Sequence, residues 1–365
     1  MSDDKTKDVV LGVIGGAAAA GAAVGGAESG GGGGGNLGSS LSSAAKGAGV
    51  NLGPLTQRTY SAGQFALEIG PEVGPPIQIG AVQSIDGGNF KSEAIGNKVG
   101  INQNVFNFPG KPKFDDITIS IGLPVLPLIF PTIYDRTRNR TNRVSGAIIG
   151  MDRNSGEQTR RTFLRAIVSE IGLPALKAGS GSQGAYVTLK LSPETIKYET
   201  GKQTKSGPVS FGPGELNMLK RATTADFSFK VDGISQLSNM PTTAVEAFTI
   251  KQNVIEHQIG SQLEPRKEFG RIEFPNLVVT APQRADWIKP MMDWYTRSVR
   301  NNNFLGERRT GTLIYQDATG QEYLRFDLDG LRILAVEMNK NTGASEEMAT
   351  VKFTFCVEDI FRPKT

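Results

Sequence analysis

The stretch Phe114-Asp-Asp-Ile-Thr-Ile-Ser-Ile121 places Ile117, Ile119 and Ile121 at every second position, the pattern of a strand with one face in the core. A related stretch, Phe274-Pro-Asn-Leu-Val-Val-Thr-Ala281, follows 160 positions later. Three more blocks recur at offsets of 160 to 165 residues: Gly146–Asp152 with Gly311–Asp317, Phe163–Arg165 with Tyr323–Arg325, and Val187–Leu191 with Val351–Phe355. A long, nearly constant period predicts two copies of one folding unit, and such a duplication favours a part of a symmetric assembly over a lone enzyme.

The two units divide the 365 residues into four segments. We predict a flexible Gly/Ala/Ser-rich arm over residues 1–58, unit one over 59–200, a linker over 201–224 and unit two over 225–365. The fold class is mainly β with a flanking helix (α+β), and each unit forms a small sandwich or barrel. An open sheet of this size leaves edges that another copy has to pair or cover.

Alternating apolar residues predict the strands, and wider apolar spacing predicts one helix in each unit. The predicted strands of unit one are Phe65–Ile69, Val82–Ile85, Phe114–Ile121, 146–152, 162–171 and 185–191. Those of unit two are Phe227–Val231, Ile272–Thr280, 311–316, 322–328, 331–338 and 349–357. The predicted helices are Thr132–Thr141, after a proline-rich interruption at Pro124, Pro127 and Pro131, and Ala285–Arg300, whose start Pro290 is expected to shift.

The single cysteine and single histidine restrict the possible chemistry. They exclude a disulfide within the chain and a Cys/His zinc site within one chain. A nucleophilic hydrolase would depend on His257, and the chain has no Gly-x-Ser-x-Gly motif. Strand alternation places Cys356 on the face opposite Phe353 and Phe355, as a small strand residue. We therefore predict no enzyme activity and no cofactor.

Two arginine clusters are the candidate contacts between subunits. At an offset of 160, Tyr134 aligns with Trp294 and Arg140 with Arg300, which predicts an aromatic residue and an arginine at the same point of both helices. We expect the arginines to pair with acids of a neighbouring unit or to be solvated, and the net charge of +4 is too mild to indicate stable nucleic-acid binding. The clusters consist of Arg136, Arg138, Arg140 and Arg143 in unit one, and of Arg297, Arg300, Arg308 and Arg309 in unit two.

The sequence also suggests two other kinds of site, one for a metal ion and one for nucleic-acid bases. Asp115 and Asp116, like Asp327 and Asp329, resemble the start of a metal site, but no convergent ligands accompany them in the sequence. Trp287, Trp294 and Tyr295 have the flat surfaces that stack on nucleic-acid bases. Their helical spacing favours a core stripe instead.

The N-terminal stretch 9–27 has no charged residue over 19 positions before Glu28, which is just long enough to cross a bilayer. It consists mostly of Gly and Ala, which contribute little insertion energy, so membrane contact is disfavoured. The preceding residues 1–8 carry three acids and two bases, which is not the start of a cleavable signal peptide.

The order of these blocks resembles the tail-tube (inner tube) protein family of contractile phage tails and phage-like contractile injection systems. The resemblance rests on Phe65-Ala-Leu-Glu-Ile69, on the strand near Asn89–Glu93, and on Phe108-Pro-Gly-Lys-Pro followed by the Ile117-Thr-Ile-Ser-Ile-Gly122 strand. A helix, the Gly146–Asp152 block and a Val-x-Leu-x-Leu strand complete it. The match covers about residues 60–200 well and 225–362 more loosely, and most family members have one unit.

The resemblance implies a structural subunit whose units form six-membered rings around a lumen that carries DNA or protein cargo. The rings stack into a rigid tube and contact sheath and baseplate or hub proteins. Two units per chain imply three chains per ring, with six chains as the alternative. The particle would assemble in the bacterial cytoplasm. Two other hypotheses stay open from the sequence alone: a β-rich adhesion module or membrane-anchored binding module, and, more remotely, a hydrolase.

Overall fold

Alternating apolar residues build most of the chain into antiparallel β-strands, so the predicted mainly β, α+β class is confirmed. The computed structural model describes residues 65–79, 82–99, 104–135, 138, 140–151, 157–180, 184–201, 222–238, 240–258, 260, 264–303, 305–317, 319–338 and 348–361. The N-terminal arm, most of the predicted linker and Arg136 lie outside these ranges.

The strands are numbered in chain order. The first half contains β1 (Phe65–Pro71), β2 (Ile77–Ile79), β3 (Val82–Gly87), β4 (Phe90–Val99), β5 (Asn104–Phe114), β6 (Ile117–Gly122), β7 (Tyr134–Asp135), β8 (Arg140–Thr141), β9 (Arg143–Met151), β10 (Glu157–Leu173), β11 (Leu176–Lys177), β12 (Tyr186–Ser192) and β13 (Thr195–Thr200). The second half contains β14 (Ala222–Val231), β15 (Ala244–Val245), β16 (Phe248–His257), β17 (Arg266–Glu273), β18 (Leu277–Pro282), β19 (Arg309–Asp317), β20 (Glu322–Met338), β21 (Thr350–Cys356) and β22 (Asp359–Phe361). The helices are α1 (Leu126–Ile133) and α2 (Ala285–Tyr295), and a π-helical turn, Thr296–Arg300, follows α2.

The two halves have the same order of paired strands. The main sheet of the first half runs β1-β9-β10-β12-β6-β3, and that of the second half runs β14-β19-β20-β21-β18-β15. In both halves a short last strand, β13 or β22, also pairs with the long central strand. The helix follows the equivalent strand each time, after β6 and after β18. The recurring sequence blocks therefore occupy equivalent places in two sheets of the same connectivity.

The two long central strands also bend at the same point. Strands β10 and β20 each contain 17 residues, and the ninth residue of each has a positive φ: 53° at Arg165 and 68° at Gly330. The pairing register shifts around both positions. A bulge of this kind bends a strand and increases its twist. As a result, one half of each long strand pairs with the short last strand, and the other half pairs with β12 or β21.

Glycine is required where the first strand of each sheet crosses the recurring Gly-x-x-Ile block. A Cβ on Gly146 would lie 2.0 Å from the carbonyl oxygen of Glu68, and one on Gly311 would lie 2.7 Å from that of Lys230. Both contacts are with backbone, which has no room to move away. The two glycines, 165 positions apart, thus meet the same steric demand in both halves.

Helix α1 lies earlier than predicted. The expected helix at Thr132–Thr141 is wrong, because the helix occupies Leu126–Ile133 and Tyr134 already begins a strand. The prolines do not interrupt it: Pro127 is in the first turn, where no backbone N–H is needed. The buried residues Leu126, Ile129, Phe130 and Ile133 have the i, i+3, i+4, i+7 spacing that indicates the correct register.

The predicted correspondence between the helices fails for the same reason. Tyr134 and Arg140 lie on the short strands β7 and β8, whereas Trp294 lies in α2 and Arg300 ends the π-helical turn. Helix α2 itself begins at Ala285 as predicted, so Pro290 does not shift its start. Trp287 and Trp294 are buried, and their indole N–H groups donate to the carbonyls of Pro282 at 2.8 Å and Glu307 at 3.0 Å. The core reading of this aromatic stripe is confirmed.

Three strand predictions need correction. The predicted strands 322–328 and 331–338 are one continuous strand, because Gly330 accommodates the bend within β20. The predicted strand Ile272–Thr280 is two, since β17 ends at Glu273 and β18 begins at Leu277, on either side of Pro275. The polar stretch Lys251–His257 is itself part of a strand, β16.

The hydrophobic core is continuous across both halves. Phe130 of α1 packs edge-on against Phe326 of β20, with ring centroids 5.9 Å apart. The hydroxyl of Tyr134 donates to Asp359 at 3.0 Å. The strands are also interleaved, because β11 pairs with β15 and β16 pairs with β10. The division of the chain into units 59–200 and 225–365 stays a prediction, since each half supplies strands to the sheet of the other.

Candidate assembly interface

Two β-hairpins occupy equivalent places in the two halves. The first hairpin is the β4–β5 pair, inserted between β3 and β6, and the second hairpin is the β16–β17 pair, inserted between β15 and β18. Strand β18 begins 160 positions after the equivalent strand β6. The same offset applied to the preceding hairpins makes Phe90 equivalent to Ile250 and Lys91 to Lys251. The sequence patterns predicted neither hairpin as a whole, although the family resemblance placed a strand near Asn89–Glu93.

The second hairpin is docked on the first half. Residues Phe248–Lys251 of β16 pair with the edge of β10, with Ile250 opposite Ile171 and Phe248 opposite Leu173. These four side chains are 4% exposed or less. The hairpin of the second half therefore extends the sheet of the first half.

A buried charge network holds this docked hairpin in place. Glu194 accepts a hydrogen bond from Arg143 at 2.6 Å and another from the backbone N–H of Lys267 at 3.0 Å. Arg143 also donates to the carbonyl oxygen of Lys267 and forms an ion pair with Glu268 at 3.1 Å. The Arg143 and Glu194 side chains are only 11% and 8% exposed, so their charges need these partners.

The amine of Lys267 extends the same network. It donates to Ser192 at 2.9 Å and lies 3.3 Å from a carboxylate oxygen of Glu256, and Ser192 in turn donates to Asp116 at 2.6 Å. Gln252 spans the hairpin, because its amide accepts from the Thr141 N–H at 3.4 Å and donates to the Gly270 carbonyl at 2.7 Å. The network therefore connects β8, β9 and β12 of the first half with β16 and β17.

The first hairpin is held less tightly, and beyond its base Lys111 donates to the side chain of Gln258 at 3.3 Å. Within the described residues, β4 and β5 pair only with each other. Its base is anchored by Phe90, whose ring lies 5.4 Å from that of Phe114 and 5.0 Å from that of Tyr198. Farther out, the cross-strand partners Ile95 and Phe108 are 53% and 54% exposed. Two large apolar side chains thus lie open on a two-stranded sheet, which by itself is only marginally stable in water.

Ion pairs at the surface of the first hairpin change the pKa values of the side chains that form them. The hydrogen bond from Lys113 to Glu93 lowers the pKa of Glu93 and raises the pKa of Lys113. A hydrogen bond from Lys91, 2.8 Å away, lowers the pKa of Asp115. Glu93, Lys113 and Asp115 therefore stay charged near neutral pH. They line a cleft of about 590 Å³ between the two hairpins, together with Glu256 and Lys267.

The structure distributes the predicted arginines over three environments. Arg143 is buried in the charge network, and Arg140 lies above the Phe269 ring at 4.4 Å. Arg138 is exposed and pairs with Asp135 at 3.6 Å. Arg136 lies outside the described residues. The cluster of the first half therefore does not form one basic surface.

The arginines of the second half have partners in their own chain. Arg297 and Arg309 both bind Glu307, at 2.9 and 3.1 Å. Arg308 lies 2.9 Å from both Asp329 and Glu358, whereas Arg300 is exposed at the end of its turn. A role of these residues between subunits stays a prediction.

One ion pair is repeated in the two halves. Arg308 and Glu358 follow Arg143 and Glu194 by 165 and 164 positions, and the pairs are equivalent. The backbone N–H groups of Glu194 and Glu358 also bond to equivalent carbonyls, those of Leu164 and Asp329. The second pair is 44% and 41% exposed, and no hairpin among the described residues covers it. In the sequence this repeated ion pair is visible as an arginine and a glutamate that both recur after 164 or 165 positions.

Other candidate chemistries find little support in the described ranges. No three His, Cys, Asp or Glu side chains converge there into a metal-binding group. Asp116 instead contacts Ser192 and lies 3.5 Å from Lys190. His257 is exposed on β16, and the Cys356 thiol faces the Arg332 carbonyl at 3.6 Å, on the face opposite Phe355. No helix within the described parts of the chain is long and apolar enough to cross a membrane.

Comparison with known proteins gives structural likenesses only. No protein-family profile and no curated protein sequence matches the chain. Among solved structures, a chain of the anti-feeding prophage (AFP) baseplate is 16% identical, with a TM-score of 0.33 over 40% of this chain and 98% of its own length. A chain of an extracellular contractile injection system, the PVC sheath–tube complex, is 15% identical, with a TM-score of 0.33 over 40% of this chain and 94% of its own. A chain of the AFP tube-terminating cap is 16% identical, with a TM-score of 0.34 over 41% and 96%. TM-scores below 0.5 do not establish a common fold.

Proposed function

We propose that the protein is a structural subunit of the inner tube, or of a tube-initiating or baseplate-proximal ring, in a contractile phage tail or contractile injection system. The observation that carries the proposal is the docking of a hairpin from the second half on the sheet of the first half, through β16 on β10. A contact of this kind, repeated from copy to copy, generates a closed ring when the rotation closes. The sequence resemblance to tail-tube proteins supports the same assignment.

The proposed stoichiometry rests on the predicted duplication. Two sheets of the same connectivity occupy two positions of a six-membered ring, so three chains complete it with approximate sixfold symmetry. Such a subunit needs no catalytic residue and no cofactor. Its partners are further copies of itself, stacked rings, sheath and baseplate or hub proteins, and a DNA or protein cargo in the lumen.

Electron microscopy of the purified full-length chain tests this proposal. We expect rings or short tubes in which threefold averaging resolves six similar lobes. The mass of an isolated ring should equal that of three chains. A ring of six chains with true sixfold symmetry would overturn the stoichiometry and leave the assembly role standing. A protein that stays monomeric and folded at high concentration would overturn the assembly role itself.

A further inference from the structure

The second half contains a strand edge equivalent to the one that the second hairpin covers in the first half. In the first half, Glu170–Leu173 of β10 pair with β12 on one edge and with β16 on the other. The equivalent residues of β20 are Ala335–Met338, which pair with β21 in the same way. Among the described residues no strand pairs with their other edge. We call Ala335–Met338 the open edge.

Within the described residues, the side chains of the open edge are more exposed than their equivalents on the covered edge. Leu173, on the covered edge, is 3% exposed, whereas the equivalent Met338 is 56% exposed. Ile171 is fully buried, but its equivalent Val336 is only partly buried. An open strand edge pairs readily with another chain unless charges or a bulge protect it. Glu337 is the single charged residue of the open edge, and the register shift between Ile333 and Ala335 has an equivalent between Val168 and Glu170 beside the covered edge.

We propose that the first hairpin of a neighbouring copy pairs with the open edge, with Phe90 opposite Val336 and Lys91 opposite Ala335. This inference rests on the proposed ring and specifies which strands join its chains. The occupant follows from equivalence: Phe90 and Lys91 correspond to Ile250 and Lys251, which lie opposite Ile171 and Glu170 within the chain. The first hairpin has the free edge and the exposed apolar residues that this pairing requires.

The residues before Phe90 allow the first hairpin to reach a second chain. Gly87 and Gly88 have φ values of +86° and +68°, whereas the equivalent segment before Ile250 is extended. Glycine adopts both conformations at little steric cost, so this segment can redirect the hairpin. When it is extended, Gly88 lies opposite Met338 and leaves room for the long methionine side chain.

A disulfide between two single variants tests the register. In a Cys356→Ser background, Lys91→Cys protein is mixed with Ala335→Cys protein under mild oxidation. Residues directly opposite each other in an antiparallel pair have Cα atoms about 4.5–5.5 Å apart, within disulfide range. We expect a covalent dimer only in the mixture. Met338→Cys in place of Ala335→Cys is the off-register control, because it lies about 10 Å farther along the strand.

A charge at the open edge tests whether the contact is needed for assembly. Met338→Lys should abolish rings while the melting temperature of the monomer stays unchanged, since the side chain is exposed. Val73→Lys, at a residue that is 90% exposed in a loop, should assemble normally. Rings from Met338→Lys, or wild-type rings without the cross-link, would overturn the register and leave the proposed function intact. A wild-type protein that forms no rings would overturn both.

Discussion

At the scale of single residues, the two equivalent ion pairs differ in what surrounds them. Arg143 and Glu194 are enclosed by the docked second hairpin, whereas Arg308 and Glu358 face solvent. Burial removes water that would otherwise stabilise each charge, so a buried charge depends on its partner. An exposed pair retains its hydration and is screened by salt.

Truncation of the arginines measures this difference. Arg143→Ala should lower the free energy of unfolding by about 2–3 kcal/mol, because it removes a charged hydrogen bond from the buried Glu194, whose remaining charged partner is Arg165 at 3.1 Å. Arg308→Ala, the matched control, should cost less than about 1 kcal/mol. Urea denaturation of both variants as monomers checks the expectation. Equal losses would show that the docked hairpin does not seal the first pair from water.

Two buried tyrosines predict how stability depends on alkaline pH. Burial raises the pKa of Tyr315, and burial together with the carboxylates of Asp226 and Asp317 raises that of Tyr323. A tyrosine in the unfolded chain titrates near pH 10, so the unfolded state loses these protons first. Stability is therefore complete below about pH 10 and falls as the pH rises above it.

Tyr315→Phe should change both stability and its slope with pH. The Tyr315 hydroxyl is buried and has no hydrogen-bond partner among the described residues, so removing it should raise stability at neutral pH by about 1 kcal/mol. Above pH 10, the loss of stability should be shallower by about 1.4 kcal/mol per pH unit. Denaturant titrations at a series of pH values measure both quantities. An unchanged alkaline slope would contradict the burial argument.

At the scale of elements, the two hairpins differ in how much they contribute to the fold. The second hairpin supplies Gln252 and Lys267 to the core of the first half, whereas the first hairpin contacts the rest mainly at its base, through Phe90. Backbone and side-chain groups that form hydrogen bonds within one chain, as in the second hairpin, stabilise the fold of that chain. An unpaired strand edge is instead available to another chain.

Excision of each hairpin separates these contributions. Replacing Phe90–Phe114 by Asn-Gly joins Asn89 to Asp115, whose backbones already bond at 3.0 Å, in a turn suited to a hairpin. We expect the variant to keep its cooperative melting but to lose assembly. The same excision between the paired residues Lys251 and Glu273 should lower monomer stability by roughly 3–5 kcal/mol, since it removes partners of buried charges. Circular dichroism and light scattering distinguish the results, and unfolding by the first excision would contradict this division.

At the scale of the whole molecule, the described residues link the two sheets by one hairpin contact. The second hairpin covers the edge of the first half, while the first hairpin and the open edge of the second half pair with no further strand in the described residues. A molecule with complementary unpaired edges is suited to closed or helical assembly. The interleaving of β11 and β16 makes the two halves one folding unit even though their connectivity is the same.

Local patterns in the sequence were sufficient for most of the two sheets. Alternation located β1, β6, β12 and β21, and the apolar spacing of Trp287, Met291 and Trp294 located α2. The glycines at 146 and 311 mark equivalent strand crossings. These features depend on short-range periodicity and on steric demands at single positions, and both are visible in the order of residues.

The hairpins, the docking of β16 on β10 and the open edge could not be derived in that way. Both hairpins are rich in polar residues and lack strict alternation, because their faces meet solvent or charged partners. The burial of Arg143 and the exposure of Arg308 likewise depend on which strand covers the edge beside them. Residues along the chain therefore determine the two equivalent sheets. Long-range pairing between strands decides which edge is closed and which stays open, because an edge is defined only by what lies next to it in space.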